Sequence, residues 1–279
     1  LQHPGGGGVN VARVLHRLGA KVTAVYTSGG ATGQRHHRLL HLEGVRSHVI
    51  ALTQETRESF SVFETDTGAD YRFVLPGPRV QAVEWQACLD HLRRHWPHKF
   101  LVLSGGLAPG MPDDAYAQLV REAAAAHVPV VIDSHGAALA LALEAGTVAL
   151  FKPSLRELQQ LTGAPLGSDA DIAQAAQQLI ARGRAQLVAV SLGESGSLLV
   201  SAHGAWRAPA LSVPVQTTIG AGDSFVAGML WGLLTHEPPP QALRWAMAAS
   251  AAALLAPGTA LCQSDDVRRL LPEVQIQAL

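Results

Sequence analysis

Thr217-Thr218-Ile219-Gly220-Ala221-Gly222-Asp223-Ser224 is the stretch on which the fold turns, because it sets a carboxylate at the end of a glycine-rich turn that opens an apolar run of helical length. Val213, Val215 and Ile219 lead in as an extended segment, and residues 225–234 read as a buried helix, so Gly220, Ala221 and Gly222 fall at its N-terminus. Glycines lack Cβ and let backbone N–H groups come close to a phosphate, and the positive end of the helix dipole favours the charge gathered there. Asp223 is then placed to accept a proton from an attacking hydroxyl. A strand-to-helix turn with Asp223 as N-cap is the other reading of the same residues, and the local pattern leaves both open.

A second glycine cluster favours the first reading. Pro4-Gly5-Gly6-Gly7-Gly8-Val9-Asn10 runs into a helix whose apolar positions Val11, Val14, Leu15 and Leu18 keep helical spacing, with Gly19 as the stop. Four consecutive glycines are costly in chain entropy. They suit a place where backbone lies against a polar ligand, with Asn10 offering both donor and acceptor from the first turn. A dinucleotide fingerprint is the rival, and it fails on context: no strand precedes the glycines, the third glycine is misplaced, and no acidic residue ends a second strand about twenty positions on.

The 279 residues suffice for one large α/β domain or two smaller ones, and 48% hydrophobic content supplies the core. Lys plus Arg number 21 against 22 Asp plus Glu, and the formal charge of −1 offers no field for nucleic acid or an anionic membrane. An anionic ligand would have to be held by local groups. The longest apolar stretch, residues 246–257, is too short to span a bilayer and reads as a buried helix. Cys88 and Cys262 lie far apart without metal-ligand spacing, and no signal peptide is visible, so a cytoplasmic protein with reduced thiols is expected.

Along the chain, residues 21–26 read as a strand, 29–33 as a loop, 34–43 as a helix and 45–51 as extended; helices and strands then alternate at parallel-sheet spacing. Between residues 56 and 75 the pattern changes. Phe60, Val62 and Phe63 on one run and Tyr71, Phe73 and Leu75 on the other flank Asp66-Thr67-Gly68, which signals a hairpin. Residues 100–104, 128–133 and 147–152 are continuous apolar runs ending in polar groups, as for central parallel strands covered on both faces. Ligands in open α/β sheets bind beyond the carboxyl ends of such strands, so Ser104-Gly105-Gly106, Asp133-Ser134 and Lys152 are expected along one edge. Residues 187–192, the turn Gly193-Glu194-Ser195-Gly196 and residues 197–201 read as a second hairpin, and helices from Asp223 and Gln241 close the fold. His91, His95 and His98, and His37 with His41, fall at helical spacing; they read as polar helix faces rather than a metal site, because no Cys or carboxylate completes a ligand set.

Taken together, the glycine-rich segment ending in Asn10-Val11-Ala12-Arg13, Gly29-Gly30-Ala31-Thr32-Gly33, the segment around Ser104-Gly105-Gly106, Val131-Ile132-Asp133-Ser134, Phe151-Lys152-Pro153, Val190-Ser191-Leu192-Gly193 and the Gly220–Asp223 turn resemble the ribokinase-like sugar kinases of the phosphofructokinase B (PfkB) group. The resemblance runs over essentially the whole chain. Its minor-type 6-phosphofructokinase, 1-phosphofructokinase and tagatose-6-phosphate kinase branches are the most similar. It implies a three-layer α/β/α sandwich with a mostly parallel central sheet, one domain over residues 1–279, and a small β-lid at 55–76 whose apolar face pairs with a second subunit in a homodimer. It also implies a strand before the glycine loop, carrying an aspartate on sugar hydroxyls; such residues do not precede Gly5 in this sequence.

The resemblance also implies roles. Asp223 is the catalytic base, and Gly220, Ala221 and Gly222 form the anion hole. Gly6, Gly7 and Asn10 contact the sugar, and Arg57 reaches the substrate phosphate from the base of the lid, where a solvated strand charge is the plain alternative. Lys152, Ser154, Ser191, Gly193, Gly196 and Thr218 serve the nucleotide, with a snorkelling lysine and a tight turn as the plain alternatives. Two residues depart from the family pattern. The Asn-x-x-Glu motif stands as Ser154-Leu155-Arg156-Glu157, so that Glu157 would act on Mg²⁺ through water. Gly106 stands where close relatives carry a serine near the sugar phosphate. A potassium loop is implied around residues 253–258 and 217–219.

The activity expected is transfer of the γ-phosphoryl group of Mg·ATP to a phosphorylated ketohexose, fructose 6-phosphate first. Tagatose 6-phosphate, fructose 1-phosphate or another sugar or nucleoside is the alternative acceptor. A catalytically weakened homologue that binds sugar phosphate or nucleotide is the rival of another class.

Overall fold

The computed structural model describes residues 2–66 and 69–279; Thr67 and Gly68, at the tip of the expected hairpin, lie outside the described residues. In chain order the elements are α1 (Gly7–Leu18), β1 (Ala24–Ser28), α2 (Gly30–Leu42), β2 (Ser47–Ala51), β3 (Ser59–Glu64), β4 (Ala69–Val74), α3 (Ala82–Arg94), β5 (Leu101–Ser104), α4 (Ala115–Ala125), β6 (Val130–Asp133), α5 (Gly136–Ala145), β7 (Val148–Phe151), α6 (Leu155–Thr162), α7 (Asp169–Ala181), β8 (Ala185–Ser191), β9 (Ser197–Ser201), β10 (Gly204–Ala208), α8 (Ala221–Leu234), α9 (Pro239–Leu254), α10 (Ser264–Leu270) and β11 (Gln277–Ala278).

The main sheet has the order β11-β10-β9-β8-β7-β6-β5. Its half from β5 to β8 is parallel, with Leu101 opposite Val130 and Val148 opposite Ala185, and its half from β8 to β11 is antiparallel. Alternate residues of the apolar strands serve opposite faces. Val131, Leu150, Ala189 and Leu199 pack with Val11, Val14, Leu15 and Leu18 of α1 and with α8 and α9. Ile132, Phe151, Val188 and Leu198 pack with the helices α3, α4, α5 and α7. This period of two inside continuous apolar runs is what a strand buried on both faces needs, and it makes the three layers.

A separate parallel pair, β1-β2, and the antiparallel ribbon β3-β4 complete the strands. Among the described residues, β1 has a partner strand only in β2, and β5 only in β6. A cavity of about 1780 Å³ opens between these two facing edges, lined by Val22, Ala24 and Tyr26 on one side and Leu101 and Leu103 on the other. It continues past the start of the glycine loop, where Gln2, His3, Gly5 and Gly6 line it.

Several boundaries differ from the sequence reading. Gly30 to Gly33 form the first turn of α2 rather than a loop, because the Glu55 carboxylate accepts from Thr32 N at 2.6 Å and Ala31 N at 3.3 Å and so satisfies the amides that start the helix. The strand read at residues 21–26 lies at Ala24–Ser28, where it meets β2. The segment carrying Val213 and Val215 is no strand: Pro214 removes a ladder donor, Val215 stands exposed, and the segment is held to Leu254 O by Gln216 N at 2.8 Å. The last long helix begins at Pro239, two residues before Gln241, since proline suits a first turn. The strands β10 and β11 were not anticipated; both lie on the antiparallel side of the sheet.

Candidate active site

Gly220 is the N-cap of α8 at φ 79°, a left-handed conformation that favours glycine, and a Cβ there would overlap Leu261 Cδ2. Ile219 N donates to Thr217 Oγ1 at 3.2 Å, which closes the turn before it, and Thr218 is exposed. The N-cap is Gly220, and Asp223 sits three residues further on in the first turn of the helix, so Asp223 is not itself the N-cap residue. Its Oδ2 accepts a hydrogen bond from Asn10 Nδ2 at 2.8 Å. The two glycine-rich segments, 213 positions apart, thus meet at their polar residues.

Asn10 is itself held. Its Oδ1 faces Arg13 Nη1 at 3.4 Å, and the wholly buried Arg13 forms a bidentate pair with Glu43 at 2.6 and 2.9 Å while donating to Pro4 O at 2.9 Å. Arg17 Nη2 adds a contact of 3.0 Å to the same carboxylate. Burial pushes the Glu43 carboxyl up, but the Arg13 and Arg17 guanidinium groups outweigh it and hold the group below its ordinary range. The line Glu43–Arg13–Asn10–Asp223 fixes where the Asp223 carboxylate points. Arg13 and Glu43 were missed as a supporting pair by the sequence reading, since nothing in their spacing marks it.

The glycine loop lies on the end of β5. Gly6 caps α1 at φ 119°, Asn10 N donates to Gly6 O at 2.7 Å, and a Cβ on Gly7 would overlap Ser104 Oγ and stand 3.3 Å from Gly105 N. Gly6, Gly7, Asn10, Gly106, Gly220, Asp223 and Arg57 all line the cavity described above. Arg57 enters it from the base of the β3-β4 ribbon, is exposed, and places Nη1 3.4 Å from Leu75 O.

At the carboxyl ends of β6 and β7, Lys152 Nζ lies 3.2 Å from Asp133 Oδ1, and 3.9 Å from the point where a side chain on Gly222 would begin. Burial pushes the Asp133 carboxyl up, while the Lys152 ammonium beside it opposes that shift. The ammonium is thereby aimed at the N-terminus of α8. Asp133 stood at the expected sheet edge without a role in the sequence reading; the pairing gives it one, as the group that holds Lys152.

Ser154 is tied to Ser191 as a parallel bridge, and Ser191 N donates to Pro153 O at 2.9 Å. Ser154 N donates to Glu157 Oε2 at 2.7 Å and Ser154 Oγ accepts from Glu157 N at 3.2 Å, a capping box that opens α6. Gly193 (φ 59°) begins a tight 3₁₀ turn and Gly196 (φ 104°) ends it, the latter packed against Ala208 and Ala210 with no room for a side chain. The plain reading of Gly196 as a turn glycine is therefore satisfied by packing alone.

Among the described residues no three His, Cys, Asp or Glu groups gather as a metal cage. His91 stacks on His48 at 3.5 Å and on His95 at 4.6 Å, forming a surface column of rings. Mg²⁺ keeps several waters and binds through one or two carboxylates together with phosphates. Asp133 and Glu157, close enough to influence one another electrostatically, offer that donor chemistry beside Lys152.

Residues 1–266 match the family model described as pfkB family carbohydrate kinase. An ATP-dependent 6-phosphofructokinase isozyme 2 of Mycobacterium tuberculosis is 42% identical over 267 residues, covering 95% of this chain and 78% of that protein. A 1-phosphofructokinase of Xanthomonas campestris is 35% identical, covering 96% of this chain and 83% of its own. Phosphofructokinase-2 from Escherichia coli, solved in complex with substrates and products, superposes with a TM-score of 0.94 at 35% identity, over 98% of this chain and 89% of that one. The same E. coli enzyme has also been solved in complex with potassium and as a tetrameric inhibited form. A likeness of this depth, spread over the sheet, both glycine turns and the helices between them, means that the chain belongs to the pfkB family of carbohydrate kinases, which transfer a phosphoryl group to a sugar hydroxyl.

Proposed function

We propose that this sugar kinase uses ATP to phosphorylate the C1 hydroxyl of fructose 6-phosphate, giving fructose 1,6-bisphosphate. The observation that carries the reading is the Asn10–Asp223 hydrogen bond at the N-terminus of α8, which sets a carboxylate beside three backbone amides. Asp223 accepts the proton of the attacking hydroxyl. Gly220, Ala221 and Gly222 present N–H groups to the charge that grows on the transferring phosphoryl oxygens, at the positive end of the helix dipole. Gly6, Gly7 and Asn10 orient the sugar, and Arg57 holds its phosphate. Lys152, steadied by Asp133, neutralises the nucleotide phosphates from the other side, and Ser154, Ser191, Gly193, Gly196 and Thr218 border that end.

Asp133 and Glu157 would hold Mg²⁺, Glu157 through water, and the ion when bound shields phosphate charge. Residues 253–258 with 217–219 would offer carbonyl oxygens to K⁺, in keeping with the Gln216–Leu254 bond that brings the two segments together. The β3-β4 ribbon acts as a lid, and its apolar face pairs two copies of the chain. Free Cys88 and Cys262 fit a reducing, cytoplasmic setting.

ADP release with Mg·ATP and a panel of fructose 6-phosphate, tagatose 6-phosphate, fructose 1-phosphate and free fructose tests this. Fructose 6-phosphate is expected to give the highest kcat/KM, and Asp223→Asn to lower kcat by roughly 10²–10⁴-fold. Turnover retained in Asp223→Asn would remove the base assignment. Nucleotide binding without turnover on any sugar would favour a binding homologue instead.

A further inference from the structure

Gly106 has a glycine where its own backbone does not demand one. Its φ lies outside the left-handed region, so the conformation accepts any residue. What a side chain there would meet is His135: a Cβ on Gly106 would stand 3.2 Å from the imidazole Cε1 and 3.3 Å from Nε2, tighter than most real contacts, so the ring would have to give by a few tenths of an ångström. The ring occupies the room that a side chain at position 106 would need, and Gly106 is on the wall of the cleft that holds Asn10, Asp223 and Arg57.

The imidazole lies near enough to the Asp133 carboxylate to favour its charged form, but no capping bond or hydrogen bond holds the ring. His135 is the N-cap of α5 in an extended conformation, yet its side chain makes no capping bond, and among the described residues its ring has no hydrogen-bond partner. It is exposed rather than packed into the core. Its position is nevertheless set beforehand. The neighbouring Ser134 Oγ and the Tyr116 hydroxyl both donate to Gly105 O at 2.9 Å, and Gly105 N donates to Asp133 O at 2.9 Å, so the strip bearing Gly106 and the strip bearing His135 are locked in register.

We propose that His135 is a substrate-contacting, specificity-determining residue whose imidazole donates to a phosphate oxygen of the phosphosugar, at the place left open by Gly106. The inference rests on the reading of the cleft as a phosphosugar kinase site. The phosphate in question is the sugar's rather than the nucleotide's because the loop that starts at Gly106 runs on to Pro109, and both Pro109 and Arg57 Nη1 flank Gly77, 3.7 and 3.8 Å from where its Cβ would lie. The loop that begins at Gly106 thus runs toward the cation of the lid base, and the imidazole lies against the first residue of that loop, with Asp133 and Lys152 on its other side. A charge-assisted hydrogen bond to phosphate is among the stronger polar contacts available.

The test compares the wild-type chain with His135→Ala, His135→Gln, Gly106→Ser and the double variant His135→Ala/Gly106→Ser. Calorimetric binding and KM are measured for fructose 6-phosphate, free fructose and Mg·ATP. His135→Ala is expected to weaken fructose 6-phosphate about tenfold to a hundredfold while leaving free fructose and Mg·ATP within about twofold, with His135→Gln falling between. Gly106→Ser alone crowds the ring and weakens the phosphosugar; in the double variant the hydroxyl enters the vacated space and recovers part of the affinity. Unchanged fructose 6-phosphate affinity in His135→Ala overturns the proposal. So does an equal loss for free fructose, which would mean general disorder, and so does a loss confined to Mg·ATP, which would assign the donor to the nucleotide. A wild-type chain that binds Mg·ATP but no phosphosugar would instead remove the phosphosugar reading itself, and His135 with it.

Discussion

Arg13 has none of its surface exposed, and Glu43 meets its guanidinium with both carboxylate oxygens. A buried ion pair need not add stability over apolar residues of the same shape, but breaking one half strands the other. The pH dependence follows from the Glu43 shift. Its folded carboxyl is held below the ordinary 4.5, so its contribution is fully present above that value and is lost as pH falls through the folded one. Thermal melts between pH 6 and pH 3 should therefore show a wild-type Tm that falls more steeply than that of Glu43→Gln. At pH 7 the variant should be less stable by about 3 kcal/mol, the low end for a broken buried pair given the partial exposure of Glu43. Parallel curves would show that this carboxylate does not govern acid stability. Asp223 and Asn10 were legible as residues because glycines announce them. The arginine and glutamate behind them were not, since a pair 30 positions apart leaves no trace in local spacing, and the same holds for the imidazole against Gly106.

Among the elements, α8 and α9 make the closest pairing in the core. A Cβ on Gly228 would overlap the Trp245 carbonyl, and one on Gly232 would reach within 2.8 Å of Ala242 Cβ, so the two glycines, one helical turn apart, let the backbones nearly touch. Gly228→Ala should push the helices apart at an overpacking cost of about 1–3 kcal/mol, read as a lower denaturant midpoint, and should lower kcat as well because α8 carries the anion hole. A midpoint unchanged within error would mean that the interface has slack. Element type was readable wherever apolar periodicity was strong, as in α1, β5, β6 and β7. It failed where a distant residue decided the outcome: Glu55 caps α2 from across the chain and starts that helix four residues early, and Pro214 undoes an alternating run that otherwise reads as a strand. The short β10 and β11 exist only because β9 offers an edge to build on.

For the molecule as a whole, the order of apolar runs told of parallel strands covered on both faces, the family resemblance implied the three layers, and the break in the order told of the β3-β4 ribbon. Phe60 and Phe73 sit opposite one another on that ribbon, their rings 5.0 Å apart, and are 51% and 47% exposed in the single chain. With Val62, Tyr71, Val74 and Leu75 also exposed, the ribbon presents an apolar surface of the kind that marks an interface. Light scattering at micromolar concentration should find a dimer or a multiple of it, and Phe60→Asp with Phe73→Asp should yield a monomer; a monomeric wild type would remove the lid as an interface. The contact between Gly106 and His135 has a consequence of another kind, for the order in which the sequence can change by single steps. A side chain entering position 106 first meets the imidazole and must push it aside, whereas the loss of the imidazole first leaves an empty space that a later serine can fill. Of the two routes between this pairing and one with a serine at 106, the first asks the exposed ring to give by a few tenths of an ångström, and the second asks for no such shift.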